Sequence, residues 1–171
     1  MLTATEDLLD EVVTEFGDLV EVASIGEQTN DGRSIKQVRF KELLVSDEEA
    51  PSILFDGAHH AREMITIKMT LSILLKLLHS VHFEDAGTLE LLQNLQVYLI
   101  PVVNPDGIAY IEADDDIIDG LITLKRKNGR VSGLCPLDEE GVDINRNYDI
   151  GWGGPPSNDR VVDPCDETYR G

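Results

Sequence analysis

His60 and Glu63, within His59-His60-Ala61-Arg62-Glu63, place an imidazole and a carboxylate three residues apart. Both groups are good zinc ligands, and at a turn between strand and helix this spacing can aim them at one ion. A catalytic zinc takes three protein groups plus a water, so the pair is a partial donor set, and the spacing alone also arises by chance. Its place just after the apolar run Ser52–Phe55 adds weight, because α/β sheets bind ligands beyond the carboxyl ends of their strands. A second group, Gly141-Val142-Asp143-Ile144-Asn145-Arg146-Asn147-Tyr148, sets Asn145 beside Arg146. A guanidinium grips a carboxylate through two parallel hydrogen bonds, although a polar loop held by its own hydrogen bonds has the same composition. Lys125-Arg126-Lys127-Asn128 opens a basic cluster running to Arg130 that is either functional or merely solvated. Asp114-Asp115-Asp116 offers oxygen donors, but no Glu closes a calcium loop, and a solvated acidic loop is the plainer reading.

These residues need a scaffold. Thr3-x-x-Glu6 reads as a capping box before an amphipathic helix over 5–17 carrying Leu8, Leu9, Val12, Val13 and Phe16. A short strand follows near 19–25. The turn Asn30-Asp31-Gly32 leads into Ile35–Phe40, which alternates as a strand does. Ser52–Phe55 is continuously apolar, as a buried strand should be. A long helix then presents Ile65, Met69, Ile73, Leu74 and Leu77 on one side, with His79 and His82 on the surface at its end. A helix over 86–95 and a buried strand at 97–103 follow. From residue 113 onward the chain is polar, rich in Gly and Asp, and read as loop. Strand, helix, helix, strand implies an α/β sheet with helices packed on its faces.

The chain has 171 residues, enough for one domain or a large piece of one. Its 14 basic and 33 acidic residues give a net charge of −19, a field that repels nucleic acid and anionic membranes. No apolar run approaches the roughly 20 residues of a membrane span, and the N-terminus lacks the pattern of a secretory signal. Cys135 and Cys165 are the two cysteines, and without a signal the bland reading is a pair of reduced thiols.

Taken together, Asp56-Gly57-Ala58-His59-His60-Ala61-Arg62-Glu63, Val103-Asn104-Pro105-Asp106-Gly107, Gly141-Val142-Asp143-Ile144-Asn145-Arg146-Asn147 and Pro164-Cys165-Asp166-Glu167-Thr168-Tyr169-Arg170-Gly171 resemble metallocarboxypeptidases of the pancreatic carboxypeptidase A and B type. Asp31-Gly32-Arg33-Ser34 is similar to an early segment of that family, and the resemblance runs from about residue 6 to Gly171. It implies a carboxypeptidase-like α/β fold, a mixed, mostly parallel sheet flanked by helices and incomplete at its C-terminal end. Residues 1–171 would be the N-terminal portion of a single catalytic domain. It further implies that His60 and Glu63 ligate one Zn2+, that Asp143 orients the zinc-bound His, and that Arg126 polarises the scissile carbonyl. Arg62 would line an outer substrate subsite, and Asn145 and Arg146 would clamp the terminal carboxylate of a peptide or protein. His59 would be a supporting or surface residue. Cys135 and Cys165 would form a disulfide, which points to a secretory or extracellular setting.

The family's third ligand, a His, its general base, a Glu, and a covering Tyr all lie beyond the position matching Gly171, and no His follows His82. The expectation is therefore a fragment of a zinc-dependent exopeptidase, inactive alone, with later strands of its sheet missing. One alternative is a non-catalytic module that binds peptide C-termini; another is a related metal-dependent amidohydrolase or deacylase. The retained His60 and Glu63 speak against the first, and the Asn145–Arg146 pair and the matched cysteines against the second.

Overall fold

A computed structural model describes residues 1–41, 50–113, 125–152 and 162–171; the run Asp114–Asp116 lies outside them. The chain divides into two compact units. The first comprises Met1–Gly26, Ile35–Gly57 and Ile65–Val103, and the second Glu27–Ser34, Ala58–Met64 and Asn104–Gly171.

The first unit holds helices α1 (Leu2–Phe16), α2 (Ile65–His82) and α3 (Ala86–Asn94) and strands β1 (Val20–Ile25), β2 (Ile35–Phe40), β3 (Ser52–Asp56) and β4 (Gln96–Ile100). The sheet is mixed, as expected, with order β1-β2-β4-β3. β1 and β2 form an antiparallel hairpin in register from Val20↔Phe40 to Ile25↔Ile35, and β2 pairs antiparallel with β4. β3 and β4 are parallel, from Ser52↔Gln96 to Asp56↔Ile100, and α2 and α3 make the crossover that parallel strands require. Leu9 and Val12 of α1, Leu74 and Leu78 of α2 and Leu92 of α3 share one core with Val20, Val38, Phe40, Val97 and Leu99. All three helices thus cover one face of the sheet. Each such buried side chain contributes about 1.5–3 kcal/mol.

Local details depart from expectation. α1 begins at Leu2, which puts Thr3 inside the helix, so no capping box forms and no side chain caps the N-terminus. β3 is an edge strand, with Ile53 and Leu54 37% and 51% exposed, and so is not buried. α2 buries Ile67, Thr70, Leu74 and Leu78, while Ile65 and Met69 are exposed. That helix is apolar on several sides, and contact with the sheet selects the stripe. β4 ends at Ile100, earlier than the apolar run suggests. Gly57 is demanded by close approach, because a Cβ there would stand 2.8 Å from the Pro101 carbonyl oxygen and 2.9 Å from that of Thr66.

The second unit contains helix α4 (Pro105–Ala113), an element the sequence reading did not assign, and a 3-10 turn at Ile144–Arg146. Asn104 and Pro105 carry a start signal for α4, a capping amide followed by Pro at the first helical position. Asp106, in its first turn, is buried and accepts hydrogen bonds from the Thr29 hydroxyl at 2.7 Å, the Asp31 amide at 3.3 Å and Arg33 Nη1 at 3.0 Å. This contact raises the Arg33 pKa above its ordinary value. Cys135 and Cys165 are joined by a disulfide, as the family resemblance implied and against the reduced-thiol reading.

The basic cluster is not merely solvated: Lys125 and Lys127 are each 2% exposed. Lys125 Nζ donates to the carbonyls of Leu137, Asp138 and Glu140, and Lys127 Nζ to those of Pro164 and Asp166. Each ammonium also lies over a ring, Tyr110 and Tyr169 respectively. The two lysines therefore hold segments on either side of the disulfide, and the residue between them is Arg126.

Candidate active site

Ala58 opens the site loop with φ 54°, a left-handed conformation that costs a non-glycine residue of the order of 1–3 kcal/mol. Neighbouring backbone holds the loop there. Ala61 N–H donates to the Arg126 carbonyl at 3.3 Å and Arg62 N–H to that of Lys125 at 2.9 Å. Asn128 N–H donates to the Val142 carbonyl at 3.0 Å and Asp143 N–H to that of Tyr169 at 2.7 Å. Gly141, at φ 108°, lies against the Asn128 carbonyl so closely that no Cβ fits. Four sequence segments are thereby brought side by side.

His60 Nδ1 lies 2.8 Å from Glu63 Oε1, so imidazole and carboxylate converge on one locus. His60 is buried, whereas Glu63 is about half exposed and leaves the locus open. On the other side of the ring, His60 Nε2 lies 3.2 Å from Asp143 Oδ1, and Asp143 is fully buried. Arg126 closes the chain: its Nε donates to Asp143 Oδ2 at 2.9 Å, and its Nη2 forms an ion pair with the same oxygen at 2.8 Å. Asp143 Oδ1 also accepts the Asn145 amide at 3.0 Å. Both ring nitrogens thus face a carboxylate; with a cation on the Glu63 side, Asp143 would accept the Nε2 proton and the Nδ1 lone pair would serve the ion. Imidazole and carboxylate are donor types that suit zinc, and Asp143 is bonded to the far side of the imidazole, where a metal-binding His would need a partner. Among the described residues, no group of three or more His, Cys, Asp or Glu side chains could hold a metal.

The remaining site residues fall into two classes. Arg62 makes a two-pronged ion pair with Glu167, at 3.0 and 3.2 Å, which raises its pKa and lowers that of Glu167. Asn145 and Arg146 lie exposed on the 3-10 turn, and Arg146 Nη1 donates to the Asn145 carbonyl at 3.0 Å. Among the described residues, no hydrogen bond or ion pair joins Arg146 to His60 or Glu63. His59 Nε2 lies 2.6 Å from the Tyr148 hydroxyl. Sequence reading assigned no part to Asn104, Glu140 or the two lysines. Asn104 and its Pro could have been found from their capping pattern; the lysines carry no local signal of burial.

The match to known proteins spans this whole arrangement. The zinc carboxypeptidase family matches residues 5–171. A metallocarboxypeptidase A of Trichophyton tonsurans is 35% identical over 121 residues, covering 71% of this chain and 26% of the relative. A carboxypeptidase B of Helicoverpa zea is 30% identical over 170 residues, covering 99% of this chain and 36% of the relative. The crystal structure of carboxypeptidase A from Helicoverpa armigera superimposes with TM-score 0.70 at 27% identity, covering 95% of this chain and 36% of that one. Thrombin-activatable fibrinolysis inhibitor superimposes with TM-score 0.78 at 22% identity over 99% of this chain, a likeness of fold. The chain spans 26% to 36% of the length of these curated relatives. With the motifs in order and the fold shared, the chain belongs to the zinc carboxypeptidase family.

Proposed function

We propose that residues 1–171 form the N-terminal portion of one metallocarboxypeptidase catalytic domain, acting in zinc-dependent hydrolysis of C-terminal residues from peptides. The observation that carries this reading is the convergence of His60 Nδ1 and Glu63 Oε1 at 2.8 Å, backed by Asp143. A zinc ion held by His60 and Glu63 would supply Lewis acidity and lower the pKa of bound water. The chain's own residues contribute the rest. Asp143 fixes the ring of His60 and the fork of Arg126 at once, so the guanidinium stands at a set place beside the ligand. There it can stabilise negative charge growing on a carbonyl oxygen. Arg146, with Asn145, offers a charged fork to a terminal carboxylate, which restricts cleavage to chain ends. Arg62 would contact residues further from the terminus.

Two donors fall short of the three that a catalytic zinc takes, and no histidine follows His82. The isolated chain is therefore expected to release no C-terminal residues. Zinc-dependent release by the purified 171-residue protein would overturn this expectation. Calorimetric titration tests the site itself: wild type takes up zinc, while His60→Ala and Glu63→Gln do not. Equal uptake by all three would refute the assignment. Exposure of Asn145 and Arg146 keeps a second reading in play, a non-catalytic module that grips peptide C-termini. It requires peptide binding that needs no metal. The disulfide supports a secretory or extracellular setting. No described helix is long and apolar enough to cross a membrane.

A further inference from the structure

Asn104 is 2% exposed and uses every polar atom it has. Its Nδ2 lies 3.2 Å from the His59 carbonyl, 3.4 Å from that of Arg126 and 3.3 Å from that of Lys127. Its Oδ1 accepts the Gly107 amide at 2.9 Å, its own amide donates to Ala58 at 3.0 Å, and its carbonyl accepts from Ile108. One amide group thus touches the loop that carries His60 and Glu63 and the loop that carries Arg126. Gly107 makes the reach possible, because a Cβ there would stand 2.7 Å from Asn104 Nδ2 and 2.8 Å from the Lys127 carbonyl.

Asp143 joins the same two loops through their side chains, to His60 and to Arg126. Asn104 joins them through their carbonyls. The circuit is closed, and each loop is held at two separate points. We propose that Asn104 is a positioning residue that keeps the metal-ligand loop and Arg126 in register, an inference that rests on the zinc reading of His60 and Glu63. Capping α4 is its other task, performed by Oδ1 alone, so the two tasks separate by atom.

Asn104→Asp keeps size and the capping oxygen but turns the shared donor into an acceptor facing three carbonyls. In the full 171-residue chain, checked for folding by circular dichroism, this variant is expected to bind zinc about 10–100-fold more weakly than wild type. The amides of Ala61 and Arg62 should exchange hydrogen at least about tenfold faster, as local opening becomes easier. Leu92→Ala, a core change in the first unit, controls for lost stability and should leave zinc affinity within about twofold. Should Asn104→Asp fail to fold, Asn104→Ala takes its place with the same expectations. Wild-type zinc affinity in the folded variant would overturn the proposal, whatever the amides do. If wild type itself takes up no zinc, the metal reading fails separately. The amide arm then decides alone: faster exchange at Ala61 and Arg62 supports the clamp, and unchanged exchange overturns it.

Discussion

Arg62 is held by Glu167 through both terminal guanidinium nitrogens, Nη1 and Nη2, at 3.0 and 3.2 Å, although 105 residues separate them in sequence. The pair is exposed, with side-chain accessibilities of 26% and 64%, so water screens it and its share of stability is below about 1 kcal/mol. Its consequence lies in recognition, since a substrate carboxylate reaching Arg62 must displace Glu167. Glu167→Gln is therefore expected to leave the urea midpoint almost unchanged. It should tighten binding of a peptide bearing an acidic side chain near its C-terminus, and the gain should shrink in high salt. Calorimetric titration of that peptide into both proteins checks this. Equal affinities would mean that Arg62 does not meet the substrate.

Asp143 has the opposite character. It is fully buried, and its two oxygens serve His60, Arg126 and the Asn145 amide. Asp143→Asn keeps the shape but leaves the Arg126 guanidinium, 14% exposed, without its counter-charge, a loss expected to cost up to about 3–5 kcal/mol. Urea denaturation reads this directly. The variant should also hold zinc about 10–100-fold more weakly, as the imidazole exchanges a charged acceptor for a neutral amide oxygen.

Local signals were legible in the sequence and distant ones were not. The alternation of Ile35–Phe40 after Gly32 marks β2 at its observed limits, because burial of Val38 and Phe40 follows from the pleat alone. His60 and Glu63 were legible because three residues of chain bring them together. Asp143 and Arg126 lie far from them in sequence, and only the family resemblance linked the four. The stripe of α2 was misread because exposed Ile65 and Met69 are as apolar as buried Ile67 and Leu74. The burial of Lys125 and Lys127 runs against the general habit of lysine, and the carbonyls that permit it lie 12 to 39 residues along the chain.

Those lysines give the fold an alkaline dependence. Burial pushes the Lys125 pKa down to about 8 from 10.5, with Lys127 adding repulsion, while the charges of Asp138 and Glu140 only partly offset it. The unfolded chain binds this proton more tightly than the folded one. The resulting penalty is full below about pH 8 and is relieved as pH rises towards 10.5. Wild type should therefore gain stability relative to Lys125→Met over that window, as read from urea midpoints of both proteins. A constant difference between them would show that Lys125 stays charged throughout.

Glu140 acts at the acid end. Its carboxylate accepts the Ser132 amide and hydroxyl, both at 2.7 Å, and the amides of Leu134 and Cys135 at 3.0 and 3.2 Å. Hydrogen bonds from Ser132 lead in lowering its pKa from 4.5 to about 2. A depressed folded pKa means that the stabilisation is present above 4.5 and fades as pH falls towards 2. Glu140→Gln should thus destabilise the chain at neutral pH, and the gap from wild type should close between those limits. Midpoints that stay equally spaced down to pH 2 would exclude this role.

The disulfide closes the same region from outside. Cys135 and Cys165 stand 30 residues apart, and closing a loop of that size stabilises by about 3–4 kcal/mol through the unfolded chain. Lys125 and Lys127 bind segments on both sides of the bond, so part of the arrangement should survive its loss. The paired change Cys135→Ser with Cys165→Ser is expected to lower unfolding free energy by that amount while leaving the amides of Ala61 and Arg62 protected. Removing the disulfide from Lys127→Met should cost more than removing it from wild type, because the ammonium no longer holds Pro164 and Asp166. A double-mutant cycle on urea midpoints measures the difference, and strict additivity would show that bond and ammonium act on separate segments.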